Sequence, residues 1–321
     1  HWFKSNQGKL FTVPYSRSDI FCDAFINGRN SNIVKEGCIY PKRTRPNSSH
    51  IPLEIVLDND FGFFVGAYVA EGMSNTTQVN ISNINNDYLN KIEKLMDRWN
   101  VRYHTNLDYK NNGTSQSLII HSTLLSKLMT SLFGRLSYNK TLPNWVLQAP
   151  DDFVKGLIDG YFSGDGCVST QYDIAASSVS KSLINQLSLI LSRYGVFSVQ
   201  SNFMPKQKHF KSVSRQYNLY IPRKYAKEFA VNFTLTIGYK QERLNDILKR
   251  ENVRCNRKEL NDIVWDKVKS IKETKPIHGW MYDFTVEKTH NFLTANGINM
   301  FDKCCRKQEA LKACYLLMKE K

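Results

Sequence analysis

The chain has 321 residues, with 44 Lys and Arg against 29 Asp and Glu, for a formal charge of +15 at pH 7. This length buries a sizeable core and predicts about two domains, and the basic excess points to a polyanionic partner, nucleic acid first. The seven cysteines include no CxxC pair, and no apolar run approaches the length of a membrane-spanning helix. Both facts argue against a disulfide-stapled secreted scaffold, a zinc finger or a helical membrane span, and a reducing compartment fits best.

Residues 1–55 read as a separate β-rich, loop-rich piece. Short strands are predicted over Phe11–Val13 and Asp23–Ile26, and turn residues crowd Pro41 to Pro52. Residues 56–250 hold a duplication, with copies over 56–150 and 151–250. Phe61 to Gly72 reads FGFFVGAYVAEG, and Lys155 to Gly166 reads KGLIDGYFSGDG. Small residues recur every fourth position: Gly62, Gly66 and Ala70, then Gly156, Gly160 and Gly164. On a helix these share one face, and a ridge without side chains lets two helix backbones approach closely. Each run delivers one acid followed by glycine, Glu71-Gly72 and Asp165-Gly166, and the acids are 94 residues apart. The glycines suit a left-handed helix stop.

A strand follows each acid-glycine pair, Val79–Ser82 and Tyr172–Ala176, and a further short strand is expected directly after each acid. Amphipathic helices come next over Tyr88–Val101 and Leu183–Val196. Strand pairs follow at Arg102–Tyr109 and Ser117–His121, and at Phe197–Phe203 and Gln216–Ile221. Each copy closes on a helix, Thr123–Leu132 or Lys224–Asn232. Residues 260–302 turn β-rich again, with strands over Met281–Val286 and His290–Thr294, and 303–321 read as a charged helix.

If the two ridges pack together, Glu71 and Asp165 meet at the same end of the pair. Helix C-termini carry partial negative charge, so two carboxylates there repel unless a divalent cation joins them. Mg²⁺, with Mn²⁺ as a substitute, takes a few carboxylate oxygens plus waters and phosphate, and can activate water against a phosphodiester. Lys140 and Lys240 lie 100 residues apart, each shortly after a glycine, and are candidates to polarise the attacking water or steady charge on the phosphate. The basic excess is concentrated: Ser201–Lys258 holds 14 Lys and Arg against 4 Asp and Glu. Double-stranded DNA is the expected partner, contacted by Arg102, His104 and Lys110 in the first copy. In the second copy the candidates are Lys206, Lys208, His209, Lys211 and Arg215.

Phe64–Gly72 and Ile158–Gly166 resemble the paired LAGLIDADG (dodecapeptide) motifs of homing endonucleases. The resemblance implies an α+β fold with a pseudo-twofold αββαββα core, in which the motif helices form the central interface and each half supplies a DNA-binding sheet. It implies metal binding by Glu71 and Asp165, site-specific double-strand cleavage, and a monomer whose twofold is internal. The lysines near the metals map most plausibly to Lys140 and Lys240. The flanks resemble intein splicing blocks, with Tyr282–Ile298 carrying His290 and the opening stretch starting at the block histidine His1. The nuclease core then sits inside a split Hint-like splicing domain, with its N-terminal part over 1–55 and its C-terminal part over 260–302. Phe301, Asp302 and Lys303 stand where inteins usually have His, Asn and a nucleophile, so no protein splicing is expected of the chain as given. The competing readings are a splicing element with an incidental nuclease, and a catalytically silent, maturase-like nucleic-acid binder.

Overall fold

The computed structural model describes residues 4–6, 10–12, 33–41, 49–108, 115–205, 214–249, 259–260, 263–264, 291–293 and 299–301. The chain forms two compact units, His1–Arg254 and Cys255–Lys321. Among the described residues the first unit opens with six short strands: β1 (Lys4–Asn6), β2 (Leu10–Thr12), β3 (Ile33–Lys35), β4 (Cys38–Tyr40), β5 (Ile51–Pro52) and β6 (Glu54–Val56). They pair in two antiparallel sheets, ordered β1-β2-β6 and β3-β4-β5. The strand expected at Asp23–Ile26 lies outside the described residues.

The duplication follows. Its first copy runs α1 (Asn59–Glu71), β7 (Gly72–Ser74), β8 (Val79–Ser82), α2 (Asn86–Arg98), β9 (Tyr103–Asp108), β10 (Ser115–Ile120) and α3 (Thr123–Phe133). Two 3₁₀ turns, Ser137–Asn139 and Asn144–Gln148, lead into the second. That copy runs α4 (Asp151–Gly164), β11 (Gly166–Val168), β12 (Ile174–Ser178), α5 (Lys181–Ser192), β13 (Val199–Phe203), β14 (Gln216–Ile221) and α6 (Arg223–Asn232). An added helix, α7 (Gly238–Leu248), ends the described part of this unit. The second unit holds two described hairpins, β15 (Glu259–Leu260) with β16 (Ile263–Val264), and β17 (Asn291–Leu293) with β18 (Asn299–Phe301). β17 falls within the strand expected at His290–Thr294. The strand at Met281–Val286 and the helix over 303–321 fall outside the described residues.

Each copy is therefore αββαββα, including the short strand after each acid. The two sheets share one topology, β7-β8-β10-β9 and β11-β12-β14-β13, antiparallel throughout. Alternation sets the faces. Val79, Ile81, Leu118 and Ile120 are buried on one side of the first sheet, as are Ile174, Leu219 and Ile221 in the second. Helices α2 and α5 begin alike, with the Asn85 and Ser180 side chains accepting from the N–H groups of Tyr88 and Leu183. They also end alike. Asn100 (φ +51°) and Gly195 (φ +71°) take the left-handed conformation. The next N–H then reaches back five residues, Val101 to Met96 O at 2.9 Å and Val196 to Leu191 O at 3.2 Å.

The centre of the unit is the pair α1 and α4. The helices run parallel: the Asn59 N–H at the start of α1 donates to the Asp152 carboxylate at the start of α4 at 3.0 Å, and Ala70 meets Gly164 at the far end. Between these ends the backbones touch. A Cβ on Gly62 would overlap the carbonyl oxygen of Phe153, and one on Gly66 that of Leu157. In the other direction, Gly156 is pressed against the Asn59 carbonyl and Gly160 against that of Phe63. Every one of these contacts recurs at the 94-residue offset, so the pseudo-twofold axis passes between the helices. Large side chains such as Phe63, Phe64, Tyr161 and Phe162 fill the space around this seam and are wholly buried.

Two expectations are corrected. Strand β12 begins at Ile174 rather than Tyr172, because Tyr172 sits at φ +66° in the turn closed by the Ser169 N–H to Asp173 O bond. Gly72 does not make a left-handed stop: its φ is −78°, and Gly166 is likewise absent from the positive-φ glycines. Their need for glycine is steric. A Cβ on Gly72 would lie 2.5 Å from Tyr68 O, and one on Gly166 2.5 Å from both Phe162 O and Phe162 Cα. Glycine lets the chain leave the helix directly into a strand while folding tightly over its last turn.

The seam has a direct test. Gly66→Val and Gly160→Val each press a side chain into a backbone that has no room to yield, and each should cost about 3 kcal/mol or more of unfolding free energy in a urea titration. Gly238→Ala, where an added Cβ meets nothing within 4 Å, should stay within about 0.5 kcal/mol of the parent.

Candidate active site

Because α1 and α4 are parallel, their two negative dipole ends lie side by side, and each end carries an acid. Glu71 is the last residue of α1 and Asp165 the C-cap of α4. A Cβ on Gly164, one residue before Asp165, would lie 3.1 Å from Glu71 Cγ. Asn83 Nδ2 donates to Glu71 Oε1 at 3.3 Å. Desolvation raises the Glu71 carboxyl, opposed by Lys240 and the Asn83 bond. Asp165 is open to solvent on one side, yet desolvation and then the Glu71 charge push its carboxyl up to about 7, against the pull of Lys240. These are the electrostatics of two like charges held within reach of one another.

The two lysines explain how such an end is tolerated. Lys240, in the first turn of α7, is 4 % exposed, and the three N–H groups of its Nζ are shared among four carbonyls at and just beyond the end of α4. These are Phe162 (3.0 Å), Ser163 (2.5 Å), Gly164 (3.1 Å) and Gly166 (2.7 Å). Lys140 is 3 % exposed and donates to Tyr68 O at 2.9 Å, with Nζ 3.2 Å from the centre of the Tyr68 ring. Tyr68 and Phe162 are equivalent at the 94-residue offset, so each lysine bonds last-turn carbonyls of one motif helix and offsets its dipole, Tyr68 O accepting from the Gly72 N–H as well. The cation over Tyr68 adds a ring-face attraction. The two are not equal, however. Burial lowers Lys140 to about 7 with no acid opposing it. Burial also lowers Lys240, but Cys167, then Glu71 and Asp165, pull it back up. Only Lys240 therefore feels the acids.

An arginine reinforces each lysine. Arg135 Nε donates to Ser74 O at 3.1 Å, and Arg243 to the equivalent Val168 O at 2.6 Å. Sequence reasoning missed this pair because the order is reversed: Arg135 precedes Lys140, whereas Arg243 follows Lys240. It also missed Asp159 and Tyr88. Asp159 is 4 % exposed and accepts from Lys91 Nζ (3.0 Å), Ser163 Oγ (2.8 Å), Thr236 N–H (2.7 Å) and Thr236 Oγ1 (2.7 Å). It thereby fixes the chain just before α7, which carries Lys240. The first copy has Val65 at that position, so the repeat gave no signal for it. Tyr88 is wholly buried and donates to Gly160 O at 2.8 Å, tying α2 of one copy to the motif helix of the other.

Of the expected DNA contacts, Arg102, His104 and Arg215 are exposed. His104 Nδ1 lies 2.8 Å from His121 Nε2, and Arg215 donates to Asn202 Oδ1 at 2.5 Å. Lys110, Lys206, Lys208, His209 and Lys211 lie outside the described residues, as do His1, His290 and Asp302. A divalent cation fits the chemistry of the donors that are described. Glu71 and Asp165 are two oxygen ligands whose mutual repulsion a cation would relieve, and a pair of carboxylates leaves coordination positions for water and phosphate. Among the described residues no third His, Cys, Asp or Glu joins them, and no helix is long and apolar enough to cross a membrane.

The sign of the pH effect follows from Asp165. Its pKa is raised on folding, so its contribution to the stability of the metal-free protein is complete below about pH 4 and is lost as pH rises through about 7. In EDTA the thermal midpoint should fall between pH 5 and pH 7, the range below the deprotonation of Lys140, which acts in the opposite sense above about 7. Asp165→Asn should shrink that fall, and an undiminished fall would contradict the placement.

Comparison with known proteins follows the same outline. A model of the intein splicing domain matches residues 33–300. Over 210 residues the chain is 34% identical to the DNA-directed RNA polymerase subunit Rpo1C of Methanocaldococcus jannaschii, covering 64% of this chain and 23% of that protein. Over 271 residues it is 29% identical to a DNA polymerase of Thermococcus litoralis, covering 75% of this chain and 15% of that one. The chain thus spans less than a quarter of the length of these two relatives. Among solved structures, the homing endonuclease I-DmoI in complex with DNA and Mn aligns with a TM-score of 0.41 at 14% identity, over 55% of this chain and 97% of that one. The homing endonuclease I-WcaI bound to its DNA recognition sequence aligns at 0.36 and 12%, over 55% and 80%. With the family model running from β3 through both repeats to the final hairpin, the chain belongs to the intein splicing domain family.

Proposed function

We propose that this chain is an intein-derived homing endonuclease, a divalent-metal-dependent enzyme that cuts double-stranded DNA at a specific site and acts as a monomer with an internal twofold. The observation that carries this reading is the meeting of Glu71 and Asp165 at the shared end of two backbone-packed helices, each followed at once by a strand of its own four-stranded sheet. One acid per half, next to one sheet per half, suits a two-stranded substrate. Glu71 and Asp165 would hold Mg²⁺, with Mn²⁺ as a substitute, and the bound cation would supply Lewis-acid activation of water and charge neutralisation at the scissile phosphate.

The chain's own residues supply the positioning. Lys240 clamps the carbonyls on both sides of Asp165 and so fixes the carboxylate that it also attracts. Asn83 orients Glu71. Lys140 acts on the first helix through Tyr68 and does not reach the acids, which makes it a positioning residue in this reading. Residues 1–55 and 260–302 are read as the two parts of the Hint-like splicing domain, on the family match and the sequence blocks described above.

The enzyme reading is tested on supercoiled plasmids carrying a randomised insert. The full chain should linearise a subset of them in Mg²⁺. Glu71→Gln and Asp165→Asn should each lower cleavage at least about 100-fold, in line with the loss of a metal-ligand carboxylate, while retaining binding in Ca²⁺. Equal behaviour of parent and both variants would remove the acids from the chemistry.

A further inference from the structure

The two sheet faces turned away from the helices have an unusual composition for a surface that meets a polyanion. In the first sheet the inward side is fixed by Thr105, whose hydroxyl donates to Glu93 of α2 at 3.0 Å, and by buried Ile81 and Leu118. Alternation then turns Met73, Asn80, Ile119 and His104 outward in one cross-strand row. Ser82, Ser117 and Asn106 form the next row. In the second sheet, buried Val168, Ile174, Leu219 and Ile221 fix the inward side. Cys167, Ala175, Tyr220 and Val199 form one outward row, Ser177, Asn218 and Ser201 the next, and Gln216 with Phe203 the last. Between the strand ends, the described outward positions carry no lysine, no arginine and no carboxylate. Arg102 and Arg215 stand just outside the strands.

What these positions do carry is amides and apolar groups. Asn106, Asn218 and Gln216 stand in the amide class, whereas Asn80 keeps its Oδ1 buried. Ser177 donates to Asn218 Oδ1 at 2.9 Å, which leaves the Asn218 amide hydrogens and a second lone pair free. Met73 is 60 % exposed, Phe203 50 % and Val199 46 %, although each is large and apolar. In the major groove an Asn or Gln side chain pairs with the N6 and N7 of adenine, and an apolar group meets the thymine methyl. Guanine is read chiefly by Arg or Lys, and cytosine by Asp or Glu; between the strand ends both kinds are missing among the described residues, and Asp108, in register with Ser115, stands at the end of β9.

Resting on the DNA reading above, we infer that the target duplex is A·T-rich beneath the centres of both sheets. Adenines are met by Asn106, Asn218 and Gln216, and thymine methyls by Met73, Ile119, Val199 and Phe203. The basic side chains at the strand ends then hold phosphates and set register, and carry little sequence information.

The experiment exposes the full chain to a randomised duplex pool and sequences two fractions, duplexes retained in Ca²⁺ and duplexes cut in Mg²⁺. Enrichment of A·T pairs in two symmetric blocks flanking the centre supports the inference. If those blocks are retained but nothing is cut, the inference stands and the nuclease reading fails. If cut sites are G·C-rich or unbiased in those blocks, the inference fails and the nuclease reading stands. If nothing is retained or cut, both fail. As a second measurement, Asn106→Arg and Asn218→Arg should each move the preference at one position of one half-site toward G·C by about tenfold. An unchanged preference in both variants would overturn the assignment of these faces.

Discussion

The contact between the backbones of α1 and α4 governs the rest of the structure. Four glycines, two from each helix, press against carbonyls of the opposite helix, and no other residue fits at these positions. This contact makes the helices parallel neighbours, so it brings the two sheets to either side of one axis. It also brings two acids and two negative dipole ends to one place. Everything functional about the unit follows from this arrangement, and so does its main electrostatic cost.

That cost is met locally, with different means in the two halves. Lys240 takes the last carbonyls of α4 and lies within the field of both acids. Lys140 takes one carbonyl of α1 and rests on an aromatic ring. Arg135 and Arg243 bond the last carbonyl of the first strand of each sheet. The second half has an additional fixture, since buried Asp159 ties Lys91 from the first copy to Thr236 before α7. The twofold is accurate in the backbone and broken in the charges, which leaves the two half-sites chemically distinct.

Much of this was legible in the sequence because the duplication reported each element twice. A four-residue spacing of small side chains identifies the seam, and a matching acid-glycine at the end of each motif identifies the site. Repeated spacing also located Lys140 and Lys240, although their role as buried helix caps depends on where the chain returns after α3 and α6. Features present in one copy only escaped. Asp159 has Val65 as its counterpart in the first copy, and Arg135 and Arg243 reach equivalent carbonyls from opposite sides of their lysines. The glycines after the acids were found for the wrong reason: they serve close packing over Tyr68 and Phe162, whereas a positive φ was expected. Sequence gives spacing along the chain, while these contacts are set by distances across it.

The central claim is that the glycine seam delivers Glu71 and Asp165 to one divalent-cation centre. The most direct measurement is an anomalous difference map from crystals of the full chain grown with Mn²⁺. The account predicts a peak bonded to a carboxylate oxygen of each acid at about 2.1 Å, the distance expected for a small octahedral cation. Manganese bound elsewhere, or carboxylates turned apart with no peak between them, would contradict it.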